Sequence, residues 1–363
     1  MSRIVKAEIR RVARPTVVMT TSYGAPPQCK DHVILRVEDE QGVAGWGEAT
    51  PLPEFTGETA DVAALILEKE LLPLLKGAES YDIADMHRRM DRAICGNHAA
   101  KMAVDTAMHD LNAKSSRQPL YNLLGGKVRE FSQINRHIGI VSVEKAEAMA
   151  RRYCEEGYRS IKVKIGLDAE EDVKRLRAIR RVAGEDCLLR VDANGGYRWH
   201  DALTFIKGTE DLNIQIYEQL LPKEQLKESA LLRRTTGIRL CLDEGAATPA
   251  DAFAAACAGA ADIFTLKLVK CGGLYPAMQI AAIAGAAGID CIVANTFDTQ
   301  INCSACLHLA CALPNAPFAN DLTCFATQPD GAETCHVLKQ DRLFVGSDPG
   351  IGVASLQEFA LDI

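Results

Sequence analysis

The stretch Leu188-Leu-Arg-Val-Asp192 is an apolar run that ends in a carboxylate, and the same arrangement recurs at Ile214-Gln-Ile-Tyr-Glu218 and Leu240-Cys-Leu-Asp243. Each run has the length and composition of a buried strand. The three acids are about 25 residues apart, which is enough chain for a strand and the helix that leads to the next strand. These runs therefore indicate neighbouring parallel strands.

The alternation of a short β-rich run with a helical stretch extends on both sides of these three runs. It predicts eight strands, near residues 133–140, 160–165, 188–192, 214–218, 239–243, 263–268, 290–294 and 316–320. Eight such units in an α/β sequence favour a (β/α)8 barrel of the TIM type, with active-site residues at the carboxyl ends of the strands.

In the rest of the chain, strand and helix patterns do not alternate in this way. The first ~125 residues contain strand patterns followed by helical patterns, which is typical of an α+β unit. After the last predicted strand the alternation stops. We therefore predict an α+β capping domain over residues 1–128, a catalytic barrel over 129–324, and a C-terminal segment over 325–363 that returns to the cap.

Composition narrows the class of function. The chain has 363 residues and a net charge of -7, without a run of lysines or arginines that would indicate binding to nucleic acid or a membrane surface. No segment has the pattern of a signal peptide or a membrane span. Thirteen cysteines scattered along a long chain suggest free thiols and a cytoplasmic location. We expect a small molecule as substrate and a homo-oligomer.

The three carboxylates Asp192, Glu218 and Asp243 predict a metal site. A single acid after a strand usually caps a helix or remains solvated. Three of them on adjacent strands would repel one another strongly unless a cation compensated their charge. Carboxylate oxygens are the ligands that Mg²⁺ prefers, so we predict Mg²⁺ here, with Mn²⁺ as a possible substitute.

Lysines in two other strands provide candidate bases. In Ser160-Ile-Lys162-Val-Lys164, the period of two places both lysines on one face, which we expect to line the barrel interior. Two neighbouring ammonium groups, partly buried, disfavour each other's protonation. We therefore predict that Lys164 is the base and that Lys162 is its electrostatic partner and a contact for the substrate carboxylate.

Lys267 ends the sixth predicted strand, which lies opposite the second in a barrel of eight. A ligand at the centre would then have Lys164 on one face and Lys267 on the other. This arrangement predicts racemisation or epimerisation at the carbon next to a carboxylate, through an enediolate that the metal stabilises.

Substrate selection is expected at the ends of the last two strands. Phe297 and Asp298 follow the seventh, and Asp321 and Thr323 follow the eighth. An acid and an aromatic ring could hold a positively charged nitrogen of a compact amino-acid derivative.

Taken together and in order, these residues resemble the enolase superfamily, in particular its muconate-lactonising subgroup. The resemblance covers nearly the whole chain and includes Gly45-Trp-Gly-Glu48, Glu54-Phe-Thr-Gly-Glu58, Leu123-Leu-Gly-Gly126, Lys162-Val-Lys164, Asp192-Ala-Asn194, Glu218-Gln219, Asp243-Glu244, Lys267 and Gly272-Gly273.

The resemblance implies the metal and lysine roles given above, with Asn194 and Glu244 in support. It also implies that loops of the cap select the substrate, which points to Tyr23 within residues 20–24 and to Phe55. Dipeptide epimerases are similar to this chain at the eighth strand but have an Asp-x-Asp pair there, where this chain has Asp321 and Thr323.

Several reactions remain open at this point. The favoured one is racemisation or epimerisation of an N-substituted proline, an N-acylamino acid or a dipeptide. The same residues could support a dehydratase acting on a hydroxy amino acid such as hydroxyproline, with Lys267 as the acid, or a muconate-type cycloisomerase. A catalytically inactive binding protein on the same barrel is the non-enzymatic alternative.

Overall fold

The computed structural model describes residues 2–16, 19–327 and 333–355. The N-terminal part forms an antiparallel sheet in the order β1 (Ile4–Pro15), β2 (Cys29–Asp39) and β3 (Ala44–Ala49). The helices of this part, listed here with their bounds, are α1 (Pro53–Thr56), α2 (Ala60–Ile66), a π-helical turn (Leu67–Leu71), α3 (Leu72–Leu75), α4 (Ile83–Ala93), α5 (His98–Ser115) and α6 (Leu120–Leu123). Of these, α5 packs most closely on the sheet, against β3 and β2.

The central unit is a curled parallel sheet of seven strands. Before it, β4 (Phe131–Gln133) belongs to a separate small sheet. The order within the parallel sheet follows the chain: β5 (Arg136–Ile138), β6 (Ser160–Lys164), β7 (Leu188–Asp192), β8 (Ile214–Glu218), β9 (Leu240–Leu242), β10 (Ile263–Lys267) and β11 (Asp290–Ala294).

Helices separate these strands along the chain. They are α7 (Val143–Glu155), α8 (Ala169–Ala183), α9 (Trp199–Gly208), α10 (Leu226–Thr236), α11 (Pro249–Ala258), α12 (Leu268–Cys271), α13 (Leu274–Ala286) and α14 (Gln300–Ala312), with short 3-10 turns at Glu210–Leu212 and Glu244–Ala246. The predicted TIM-type barrel with an α+β cap is confirmed.

The prediction of a regular eighth strand at 316–320 is wrong. Single bridges replace it, from Asn320 to Ile134 beside β5 and from Asp321 to Ala294 at the end of β11. The amide of Asn320 donates to Gln133 O at 2.7 Å, and the amide of Asp321 donates to Val293 O at 2.9 Å. The predicted strand also contains Pro317, which has no amide hydrogen to contribute to a ladder.

The C-terminal segment consists of α15 (Cys324–Thr327), β12 (Glu333–Thr334), β13 (Val337–Lys339), β14 (Arg342–Phe344) and β15 (Val353–Ser355). Strand β14 pairs with β4, which precedes the barrel. Beyond β14, the amide of Ile351 donates to Asp110 of α5 at 2.9 Å. The predicted domain boundaries at 128 and 324 remain predictions, and residues 328–332 and 356–363 of the predicted tail lie outside the described residues.

One expectation about the cysteines is wrong. Cys303 and Cys324 are joined by a disulfide, so the thirteen are not all free thiols. Cys306 and Cys311, by contrast, are free and buried in α14, as small apolar positions of a core helix. Within the described part of the chain, no helix combines the length and hydrophobicity needed to cross a membrane.

The motif Gly45-Trp-Gly47 has a packing role. Strand β3 lies so close to α5 that a Cβ added to Gly47 would overlap the carbonyl oxygen of Ala103, and one added to Gly45 would overlap that of Ala107. Backbone atoms cannot rotate away as a side chain can. The glycines therefore allow the cap sheet and its longest helix to touch.

We predict that Gly47→Ala lowers the free energy of unfolding by about 2–3 kcal/mol, because it overpacks a rigid contact. Thermal denaturation measures the change. Gly285→Ala is the matched control, since this glycine lies in α13 where a Cβ meets only ordinary contacts, and it should be neutral or stabilising. Equal melting temperatures for Gly47→Ala and the wild type would contradict the packing argument.

Candidate active site

A cavity of about 460 Å³ lies where the carboxyl ends of the barrel strands meet the cap. Its lining includes Lys162 and Lys164 of β6 and Lys267 of β10, together with Tyr23 and Phe55 from the cap. The predicted base residues and the predicted cap residues therefore share one cavity.

The three predicted metal ligands lie beneath this cavity. Asp192 is the last residue of β7 and is paired in register with Glu218, the last residue of β8. Asp243 directly follows β9, the next strand of the sheet. All three side chains are fully buried. Buried carboxylates need charged or hydrogen-bonding partners, because water no longer solvates them.

Lysines provide these partners. Lys164 donates to Asp192 Oδ2 at 2.6 Å, and Lys267 donates to Asp243 Oδ2 at 2.5 Å. Lys162 lies 2.8 Å from Glu218 and 3.1 Å from Asp192. Each predicted ligand is thus held in an ion pair, and each predicted base is held at a defined position beside it.

The ion pairs also determine which form of two of these lysines is stabilised. Burial alone would lower the pKa of Lys267, but the carboxylates of Asp243 and Glu244 outweigh it and hold the pKa above its usual value. In the same way Asp192, Asp321 and Glu218 outweigh burial and raise the pKa of Lys162. Neighbouring carboxylates therefore stabilise the protonated forms of Lys162 and Lys267 in this arrangement. The expectation that Lys164 is the base stays a prediction.

At Glu218, burial and like charges outweigh the neighbouring ammonium group, and the neutral form of the carboxyl group is favoured. Burial, with the nearby carboxylates of Asp192, Asp321 and Asp243, raises its pKa to about 7 in spite of Lys162. Its Oε2 atom lies 2.8 Å from the Lys162 ammonium but makes no hydrogen bond of acceptable geometry with any described residue. This carboxylate is the least compensated member of the group, and additional positive charge would stabilise it.

The donor set fits a divalent cation on chemical grounds, since three buried carboxylates on adjacent strands present hard oxygen ligands. As they stand, no three His, Cys, Asp or Glu side chains of the described residues form a metal-binding cluster. Ammonium groups occupy the carboxylate oxygens instead: Lys267 and Lys270 take both oxygens of Asp243. Binding an ion there requires Lys164 and Lys267 to exchange these contacts for the ion.

The predicted supporting residues form a chain of hydrogen bonds beside Lys164. Lys164 donates to Asn194 Oδ1 at 3.0 Å, and Asn194 Nδ2 donates to Glu244 Oε1 at 3.1 Å. The hydroxyl of Tyr23, from the cap, donates to the same oxygen at 2.6 Å. This chain links the cap loop to the lysine on β6.

Lys164 and Lys267 face the cavity from opposite sides. In the sheet order, β7, β8 and β9 separate β6 from β10 on one side. On the other side lie β11, the bridging segment at 320–321, and β5. Lys267 Nζ also lies 4.5 Å from the centre of the Phe55 ring, which places this ring against the amine.

The predicted specificity residues divide into two groups. Phe297, Asp321 and Thr323 line the cavity. The oxygens of Asp321, however, already accept from Asn135 at 2.6 Å and from Lys162 at 2.7 Å. Both oxygens are therefore committed to the barrel, which argues against the predicted role of Asp321 as a partner for a substrate nitrogen.

Asp298 does not line the cavity, which corrects its predicted role in substrate binding. Its Oδ1 accepts from the hydroxyls of Thr50 at 2.6 Å and Thr296 at 2.8 Å. The side chain instead connects the loop after β11 with the end of β3, so it joins the barrel to the cap.

Two further buried residues support the site: Arg190, which the sequence analysis did not single out, and Gln219, which was quoted there without a role. Arg190 is fully buried, donates to Ala319 O at 2.6 Å and lies 3.3 Å from Asp321. The period of two that places Lys162 and Lys164 on one face also places Arg190 with Asp192, so the signal was present in the sequence. Gln219 accepts from the amides of Asp243 and Gly245 at 3.0 Å each and fixes the end of β9. Nothing in its sequence context indicates this.

Comparisons with known proteins agree with this geometry. The family model described as the N-terminal domain of mandelate racemase / muconate lactonizing enzyme matches residues 3–125, and the model described as enolase C-terminal domain-like matches residues 145–358. An N-succinyl-L-Arg/Lys racemase of Bacillus cereus is 33% identical over 297 residues, which cover 82% of this chain and 79% of that protein.

An L-Lys-D/L-Arg epimerase of Methylococcus capsulatus is 34% identical over 324 residues, covering 89% of this chain and 91% of that protein. A crystal structure of a dipeptide epimerase from Methylococcus capsulatus, complexed with Mg and the dipeptide L-Arg-D-Lys, superposes with a TM-score of 0.91 at 32% identity over 97% of this chain and all of that chain. The predicted resemblance is confirmed: the chain belongs to the mandelate racemase / muconate lactonizing enzyme family of the enolase superfamily and is an isomerase.

Proposed function

We propose that this chain is a Mg²⁺-dependent racemase or epimerase that removes the proton next to the carboxylate of an amino-acid derivative and returns a proton to the opposite face. The observation that carries the proposal is the placement of Lys164 and Lys267 on opposite strands of one closed sheet, both lining one cavity. Two amines on opposite faces of a bound carbon are what inversion at that carbon needs.

Asp192, Glu218 and Asp243 would hold the ion. When bound, the ion would supply positive charge that binds the substrate carboxylate and stabilises the negative charge that develops on it. Asp192 and Asp243 would then compensate the ion, and would stabilise the protonated lysines less than they do now.

The chain's own residues have defined tasks in this scheme. Lys164, held by Asn194, accepts the proton on one face, and Lys267, held against Phe55, delivers a proton on the other. In the reverse direction the two exchange roles. Lys162 lies between Glu218 and Asp321 and is 1% exposed, so we assign it an electrostatic task toward the substrate carboxylate and not proton transfer.

The substrate classes that we propose are those expected from the sequence: an N-substituted proline, an N-acylamino acid or a dipeptide. Mn²⁺ is the expected substitute for Mg²⁺, and a cytoplasmic homo-oligomer is the expected form of the protein. Dehydration of a hydroxy amino acid and cycloisomerisation would use the same lysines, and the stereochemical experiment below distinguishes them from racemisation.

The first prediction concerns proton exchange. The enzyme is incubated with Mg²⁺ in D2O and with separate enantiomers of N-acylamino acids, dipeptides and proline derivatives. We expect α-deuteration, measured by NMR, together with inversion, measured by chiral chromatography. Lys164→Ala should suppress exchange from one enantiomer and Lys267→Ala exchange from the other, each by about 100-fold or more, because each variant lacks the base on one face.

Lys174→Ala is the control, because Lys174 is an exposed lysine of α8 paired with Glu171. It should exchange at the wild-type rate. Full activity in both Lys164→Ala and Lys267→Ala would refute the assignment of the bases. Elimination or ring closure without inversion would favour the dehydratase or the cycloisomerase.

The second prediction concerns the metal. Removal of divalent ions with EDTA should abolish exchange, and Mg²⁺ or Mn²⁺ should restore it. Glu218→Gln and Asp243→Asn should weaken Mg²⁺ binding, measured by calorimetry, by about 10-fold or more, since each removes one anionic ligand. Exchange that continues at the wild-type rate after complete metal removal would contradict the proposed metal site.

A further inference from the structure

The cavity is not confined to the mouth of the barrel. Its lining also includes Arg136 of β5 and Lys145, Met149, Arg152 and Tyr153 of α7. We refer to this part, defined by these five residues, as the α7 arm. None of the five belongs to the residues that we assign to proton transfer or to the metal.

Arg136 is fixed within the arm. Its neighbour His137 is in register with Lys162 and turns toward Asp321 in the barrel interior. Arg136 therefore faces the other side of the sheet, where its guanidinium stacks 4.4 Å from the ring centre of Tyr153 and 5.2 Å from that of Tyr158. Two rings hold the plane of the guanidinium, so its donors are oriented before any ligand binds.

Only part of the hydrogen-bonding capacity of this guanidinium is used, by the side chains of Tyr153 and Tyr158 and by two longer contacts. The Arg136 side chain is only 12% exposed, yet its Nε atom has no hydrogen-bond partner in the described residues. One terminal nitrogen lies 3.5 Å from the carbonyl oxygen of Ala326 and 3.7 Å from Glu156. Buried arginine donors are normally satisfied by carboxylates or carbonyls at shorter distances.

The arm also carries excess positive charge. Arg152 and Lys145 add two cations, whereas Glu156 supplies a single carboxylate that lies 3.6 Å from Arg152 and 3.7 Å from Arg136. The acidic residues that line the cavity in the described chain are Glu54 and Asp321, which belong to the cap and the barrel mouth. In a protein of net charge -7, this concentration of cations is a local feature that favours an anion.

We infer that the α7 arm binds a second anionic group of the substrate, so that the substrate is a dianion with one carboxylate at the reacting carbon and another at the far end of an acyl group or side chain. The inference rests on the proposed function, which assigns the first carboxylate to the metal and Lys162. A planar carboxylate matches the fork of Arg136, with Arg152 and Lys145 supplying further charge.

Calorimetry of the Mg²⁺-loaded enzyme with unreactive probes tests the inference. The probes are glutarate, adipate and pimelate, each matched with the monocarboxylate of the same chain length: pentanoate, hexanoate and heptanoate. At least one dicarboxylate should bind about 10-fold or more tightly than its matched monocarboxylate. Arg136→Gln should remove this preference and leave the affinity for the monocarboxylate unchanged.

Arg152→Gln is the second variant, because Arg152 is 57% exposed on α7 and its substitution does not disturb the core. It should reduce the preference by about 3-fold or more. Arg151→Gln is the matched control: Arg151 lies on the same helix, is 58% exposed and is paired with Glu147 outside the cavity, so the preference should be unchanged. Equal affinity for the two probe series in the wild type, or a preference that survives in both Arg136→Gln and Arg152→Gln, overturns the inference.

Failure of this inference is distinguishable from failure of the proposed function. If the probes show no preference but Lys164→Ala and Lys267→Ala each lose α-deuteration from one enantiomer, only the anionic subsite is refuted. If deuteration is independent of both lysines, the proposed function is refuted whatever the probes show.

Discussion

Carboxylates that end neighbouring strands of this barrel are removed from water, and their charge has to be compensated within the protein. In the structure Lys164 compensates Asp192, and Lys267 compensates Asp243. These lysines come from β6 and β10, on opposite sides of the closed sheet. The need to neutralise buried acids therefore places two amines on the two faces of the central cavity. The same ion pairs that allow the acids to be buried therefore hold the two amines that the proposed reaction uses.

Much of this arrangement could be predicted from the sequence because it follows from periodicity. Apolar runs that end in Asp192 and Glu218 identify strands and their carboxyl ends, and a period of two assigns Lys162 and Lys164 to one face. The direction of each pKa shift could not be predicted, because it depends on how burial and the neighbouring charges add up in three dimensions. The sequence shows which side chains share a face, but not that the carboxylates around Lys162 and Lys267 outweigh burial and raise the pKa of both lysines.

Sequence patterns also did not predict contacts between segments that are far apart in the chain. Asp298 follows a barrel strand, as Asp192 and Asp243 do, yet its side chain turns to Thr50 of the cap. The segment 316–320 was predicted as a strand, but isolated bridges at Asn320 and Asp321 close the barrel there. Arg136 lies on the outward face of β5, a position that normally packs against helices. Periodicity predicts that face, but not the cavity that extends along it.

Crystals of the protein grown with Mn²⁺ and a bound dicarboxylate would test the central claim most directly. The account predicts one anomalous scattering peak within bonding distance of Asp192, Glu218 and Asp243, with the amines of Lys164 and Lys267 released from these acids and lying on opposite faces of the ligand. A peak elsewhere, or a ligand-bound site in which both lysines still pair with Asp192 and Asp243 and no metal is bound, would contradict it.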